Sequence, residues 1–185
     1  MYITIEGIDG SGKSSLIERL KERLPNASFY REPGSTDRGE LLRTWSTSKN
    51  TESTNLLIYL LSRSLLMQEK DFNGLTIVDR GILSTLAYNS EYIDQETLFK
   101  ANQLLGLKLP DLIIYLYTSP AIAVQRIIDR GDKDIPSVEI LTQYDQRYFS
   151  AINLIQEHCS VIIIPNIGSL EETLTNVLLT IGVRA

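Results

Sequence analysis

Residues 7–14 read GIDGSGKS and follow directly on the apolar run YITI at 2–5. The spacing Gly-x-x-x-x-Gly-Lys-Ser, set between a short strand and a helix, is that of a loop that cradles phosphate. Gly7, Gly10 and Gly12 let the backbone turn tightly and bring its N–H groups to phosphate oxygens with no Cβ in the way. Lys13 is placed to reach the outer phosphates and Ser14 to offer its hydroxyl to a magnesium ion. The helix that follows, KSSLIERLKERL, aims the positive end of its dipole at the same point.

Outward from this loop, strand-like and helix-like segments alternate. YITI, ASFYR at 27–31, LTIVD at 75–79, DLIIYLYT at 111–118 and SVIIIP at 160–165 read as five strands. Most are apolar throughout, the pattern of strands buried on both faces of a parallel sheet. Helical spacing appears in NLLIYLLSRSLLMQEK and SVEILTQYDQRYFSAINLIQEH, and in SLEETLTNVLLTIG with Ser169 as N-cap and Glu172 as its box partner. The expected fold is α/β: a three-layer, doubly wound, five-stranded parallel sheet with helices on both faces, forming a single domain over 1–185.

The composition limits the partners. Of 185 residues 43% are hydrophobic, enough for one sizeable core, and 18 basic against 23 acidic residues give a net charge of -5. No basic run suggests nucleic acid or a membrane surface, so small molecules are the expected partners. Cys159 has no second cysteine to pair with and His158 has no ligand cluster, which argues against a disulfide or a zinc site and for a reducing compartment. The first strand starts at residue 2 and no apolar run reaches a membrane-spanning length, so a cytoplasmic protein is expected.

In doubly wound sheets ligands gather at the carboxyl ends of the strands. There the chain carries Asp9 inside the phosphate loop, Arg31-Glu32-Pro33-Gly34 after the second strand and Asp79-Arg80-Gly81 after the third. An acid at 79 suits magnesium held through water, and an arginine at 80 suits a second anion. Beyond the fourth strand, Arg126, Arg130 and Lys133 are spaced to project from a helix end and a loop.

These stretches together resemble the thymidylate kinases, P-loop nucleoside monophosphate kinases, over nearly the whole chain. YITIEGIDGSGKSS is similar to the family opening, REPGSTDRGE to its Arg-Glu-Pro-Gly-Gly-Thr run, DRGILSTLAYN to its Asp-Arg-Tyr-x-x-Ser-x-x-Ala-Tyr-Gln run, and LPDLIIYLYTSPAIAVQRI to its Pro-Asp strand and following helix. The resemblance implies transfer of the γ-phosphoryl group of ATP to dTMP. It implies an ATP site at Gly7, Asp9, Gly10, Ser11, Gly12, Lys13, Ser14 and Ser15, with Mg2+ at Ser14 and Asp79. The dTMP site is then Asp9, Arg31, Pro33, Tyr59, Arg63, Arg80, Ser84, Thr85 and Tyr88. Lys13, Arg80, Asp9, Arg126 and Arg130 are the catalytic set. In this scheme Asp9 accepts from the sugar 3'-hydroxyl and Arg80 holds the acceptor phosphate. Tyr59 and Arg63, at i and i+4, stack on thymine and donate to a base carbonyl. Ser84 and Thr85 meet the base edge, and Tyr88 packs where a ribose 2'-hydroxyl would sit. Arg126 and Arg130 close as a lid over about 126–137.

The chain departs from the family pattern at Gly81, where an aromatic residue is usual, at Leu83 and Asn89, and after Arg130, where GDKDIPSVE lacks a second arginine. A looser acceptor pocket, and a lid that either closes more weakly or draws on Lys133, are the expected consequences. A kinase for another or several deoxynucleoside monophosphates and a catalytically decayed nucleotide-binding module are the alternative functions. The helix with Leu56, Leu57, Leu60, Leu61, Leu65 and Leu66 is apolar on more than one face. The family dimerises in this region, which implies a homodimer.

Overall fold

The computed structural model describes residues 1–46 and 51–183, the side chain of residue 52 excepted. Along the chain run β1 (Tyr2–Glu6), α1 (Lys13–Arg23), β2 (Ser28–Arg31), α2 (Asp37–Ser46), α3 (Glu52–Glu69), β3 (Thr76–Asp79), α4 (Ile82–Asn89), α5 (Gln95–Leu104), β4 (Leu112–Tyr117), α6 (Pro120–Arg130), α7 (Val138–Ile155), β5 (Ser160–Pro165) and α8 (Leu170–Thr180). The five strands form one parallel sheet in the order β2-β3-β1-β4-β5, so β1 lies at the centre.

Alternation along β4 divides the core into two layers. Leu112, Ile114 and Leu116 face one way and pack with Ile3, Ile5, Leu16 and Leu20 of β1 and α1 and with Leu174 and Val177 of α8. Ile113 and Tyr115 face the other way, against Leu83, Leu86, Leu98 and Ile152 from α4, α5 and α7. Each such side chain taken out of water stabilises the fold by about 1.5–3 kcal/mol before entropy is counted. Helices therefore cover both faces.

The central strands meet the expectation of burial on both faces: every residue of β1 and β3 is buried. The edges do not. β2 is half-exposed, and in β5 Ile162 and Ile163 stand 40% and 42% exposed, because β5 pairs with β4 alone. An apolar run does not distinguish a central strand from an edge one.

Side-chain caps fix where several helices start. Thr51, Asp94, Ser119, Ser137 and Ser169 each accept a backbone N–H three residues on, and Pro120 at the first position of α6 has no N–H to leave unpaired. His158 packs on Phe99 with ring centroids 4.8 Å apart, beside half-buried Cys159, where α7 gives way to β5.

Candidate active site

The phosphate loop runs from β1 into α1. Gly12 caps α1 at φ 91°, a left-handed conformation that a side chain disfavours. At Gly10, φ is 78° and an added Cβ would lie 2.3 Å from the Ala123 carbonyl oxygen, so α6 presses directly on the loop. Lys13 is 7% exposed, and its Nζ donates to the carbonyls of Gly7 (2.9 Å) and Ile8 (2.7 Å). Burial pulls its ammonium down to about 7, an imbalance that an anion in the loop would reverse. Lys13, Ser14 and Ser15 line a cavity of about 450 Å³, within the range of nucleotide-sized sites.

Across that cavity stands Arg80, directly after β3. Its backbone adopts φ 69°, rare for a residue with a side chain, and its N–H donates to the Ile5 carbonyl at 3.0 Å. The guanidinium donates to Asp9 of the phosphate loop, to Ser84 Oγ (3.2 Å) and to Tyr148 Oη (3.2 Å). It also lies 5.3 Å from the ring centroid of Tyr88. Glu6 closes the network from below. Wholly buried, it accepts Ser84 Oγ at 2.5 Å and the Leu83 N–H at 3.2 Å, and burial lifts its carboxyl to about 7.

The same cavity is lined by Arg31, Pro33, Tyr59, Asp79, Gly81, Ser84, Thr85 and Tyr88, which brings most of the expected acceptor residues together. Tyr88 is held against Tyr144 at 4.6 Å between centroids, and its hydroxyl has no hydrogen-bond partner among the described residues.

Arg63, expected to donate to a base carbonyl, is not among the residues that line the cavity. It is 1% exposed, behind Thr85. Its guanidinium grips Glu32 through Nε (3.1 Å) and Nη2 (2.5 Å), Thr85 Oγ1 (2.8 Å) and Asn102 Oδ1 (2.7 Å). Four of its donor contacts thus go to protein. The i,i+4 spacing put Tyr59 and Arg63 on one helical face, but that face is fully buried at Arg63 and only half-buried at Tyr59, which lines the cavity.

The expected lid residues also separate. Segment 126–137 begins as the last turn of α6, is capped by Gly131 at φ 78°, and continues as the connection to α7. Arg130 lines the cavity, paired with Asp132. Arg126 lies to one side, its Nη2 on the Asn166 carbonyl at 3.0 Å. Lys133 has no contact with the cavity. Gly81 lines the cavity, and an added Cβ would stand 2.8 Å from Thr4 Cγ2 and 3.3 Å from Glu6 Oε1 of β1.

The chain as a whole has counterparts among known proteins. The family model described as Thymidylate kinase matches residues 5–176. The chain belongs to the thymidylate kinase family. A Campylobacter lari protein named thymidylate kinase is 34% identical over 146 residues, covering 75% of this chain and 74% of the relative. A Methanococcus aeolicus protein named probable thymidylate kinase is 33% identical over 158 residues, covering 82% and 79%. The crystal structure of thymidylate kinase from Ehrlichia chaffeensis superposes with a TM-score of 0.70 over 98% of both chains, at 24% identity, and has the same fold.

As a thymidylate kinase family member, the chain has site residues that sequence reasoning missed. Arg43 and Ser46 of α2 reach the cavity and add a cation to it. Glu6 and Tyr148 support Arg80 from β1 and α7. The Glu in the quoted opening YITIEG was available as a signal, since a charged residue ending an otherwise apolar strand is out of place. Tyr148, one of several aromatics on an amphipathic helix, gave no comparable signal.

A divalent cation fits the residues present. Asp79 is buried, its Oδ2 accepts Arg31 Nε at 3.2 Å, and its Oδ1 has no partner among the described residues. Ser14 lines the same cavity. Among the described residues no three His, Cys, Asp or Glu side chains converge, so an ion here would take Ser14 and Asp79 from the protein and leave its other positions to nucleotide oxygens and water, the pattern that suits magnesium.

Proposed function

We propose that this chain transfers the γ-phosphoryl group of ATP to dTMP, giving dTDP and ADP. The observation that carries the reading is Arg80 facing the Lys13 loop across one nucleotide-sized cavity, with Asp9 joining the two sides. The accepting phosphate oxygen is already ionised, so the chemistry needs placement and charge neutralisation more than a base.

Residues from several elements act together. The loop from Gly7 to Ser15 binds the donor phosphates, and Lys13 leaves the Gly7 and Ile8 carbonyls to reach their outer oxygens. Ser14 and Asp79 would hold magnesium, which would supply neutralisation of phosphate charge. Arg80 and Arg31 orient the acceptor phosphate. Tyr59 stacks on the base, and Ser84 and Thr85 meet its edge. Arg63 holds Thr85 and Glu32 in place from behind. Tyr88 crowds the position of a ribose 2'-hydroxyl, and Asp9 accepts from the 3'-hydroxyl. In this reading 1–185 is one kinase domain with 126–137 as its lid. Arg130 comes over the donor as water is expelled, while Arg126 serves the donor from the side of α6.

The partners are ATP and dTMP. We further read the protein as a cytoplasmic homodimer: Leu57 and Leu61, one turn apart on α3, are 66% and 51% exposed. No helix among the described residues is long and apolar enough to cross a membrane. Release of ADP with ATP and magnesium across deoxy and ribo monophosphates tests the function. Turnover confined to dTMP and close analogues is expected; equal use of all deoxynucleotides replaces it with a broad kinase, and nucleotide binding without turnover replaces it with a binding module.

A further inference from the structure

Asn166 follows β5 and has no place in the cavity lining, yet its side chain reaches the phosphate loop. It is 4% exposed. Its Nδ2 donates to the Ser11 carbonyl at 2.7 Å and its Oδ1 accepts Thr173 Oγ1 of α8 at 2.9 Å, so the amide is held from both ends. Its own N–H donates to the Tyr117 carbonyl at 2.7 Å, and its carbonyl accepts Arg126 Nη2 at 3.0 Å and Thr118 Oγ1 at 3.2 Å. A Cβ on Gly12 would come within 2.4 Å of Asn166 Nδ2, so the glycine is required by this contact as well as by its own φ.

The Ser11–Gly12 peptide is planar and trans, so its C=O and N–H point in opposite directions. Holding the Ser11 oxygen toward the β5–α8 connection turns the Gly12 N–H the other way, into the cavity that Gly12 lines. That N–H belongs to the unpaired set at the start of α1, whose natural partner is an anion.

We infer that Asn166 is a positioning residue for the donor phosphates, fixing the Ser11–Gly12 peptide so that the Gly12 N–H is presented to a phosphate oxygen. This rests on the donor being a nucleoside triphosphate held by the Gly7–Ser15 loop. Thr173 contributes by orienting the asparagine amide.

Calorimetric titration of the full chain with magnesium ATP, and separately with dTMP, tests it in wild type, Asn166→Asp and Thr173→Val. Asn166→Asp replaces the donating NH2 with an oxygen that repels the Ser11 carbonyl. It is expected to weaken ATP about tenfold or more, with dTMP affinity unchanged. Thr173→Val is expected to weaken ATP less, in the same direction. Unchanged ATP affinity in Asn166→Asp overturns the inference, as does a parallel loss of ATP and dTMP, which marks general loosening. Should Asn166→Asp fail to fold, Thr173→Val decides: wild-type ATP affinity there overturns it. A wild type that binds ATP but not dTMP sinks the proposed acceptor and leaves the Asn166 comparison intact.

Discussion

Arg80 and Asp9, 71 positions apart in the chain, form an ion pair that ties the end of β3 to the phosphate loop. The arginine proposed for the acceptor is thereby indexed to the loop proposed for the donor. Arg80→Ala is expected to lower kcat by about 10²–10³-fold with little change in thermal midpoint, since the side chain is partly open to solvent. Arg80→Lys is expected to recover little, because an ammonium cannot reach Asp9, Ser84 and Tyr148 at once. Steady-state kinetics beside a melting curve checks both, and near-normal turnover in Arg80→Ala removes it from the catalytic set.

Glu32 and Arg63 behave differently. Both side chains are 1% exposed, so removing one partner leaves a buried charge alone. Glu32→Gln is expected to cost about 3–5 kcal/mol of stability in urea unfolding. Unchanged stability with a raised dTMP KM would return Arg63 to direct base contact.

Glu6 gives a pH signature. Its carboxyl sits at about 7 in the fold against an ordinary 4.5, so the folded state keeps a proton that the unfolded chain releases. Its contribution is full below pH 4.5 and is lost as pH rises through 7. Glu6→Gln, neutral throughout, is therefore expected to lose less stability than wild type between those limits. Parallel midpoint-against-pH curves for the two proteins would refute this.

Gly81 is matched to Thr4. Gly81→Ala brings a Cβ 2.8 Å from Thr4 Cγ2 and is expected to destabilise by about 1–3 kcal/mol. Thr4→Ala removes both that methyl and a buried hydroxyl with no partner among the described residues, and is expected to rescue Gly81→Ala in a double-mutant cycle. Additive effects would mean that the two positions do not meet.

Tyr88 tests sugar selection. Tyr88→Ala is expected to lower the preference for deoxy over ribo acceptors, read as a ratio of kcat/KM values. An unchanged ratio reassigns the ring to packing against Tyr144.

Local pattern made the phosphate loop and all five strands legible, because glycine spacing and β-branched runs act within a few residues. Long-range contact hid the rest. Helical spacing put Tyr59 and Arg63 together but not which of them the core would swallow. Arg126, Arg130 and Lys133 looked like one cationic lid, yet the turn of the helix sends Arg126 to Asn166 and leaves Lys133 outside the cavity. The apolar character of SVIIIP did not reveal an edge, since strand order depends on crossovers and not on composition. Asn166 reaches Ser11 across 155 positions, and no local signal marks such a pair.

That last contact bears on the order in which the molecule becomes competent. In chain order the glycine loop comes well before the side chain that holds its Ser11 carbonyl, which lies 155 positions further on and directly after β5. A chain synthesised only as far as β4 therefore carries the loop without this contact, and the loop's final geometry waits on the last strand.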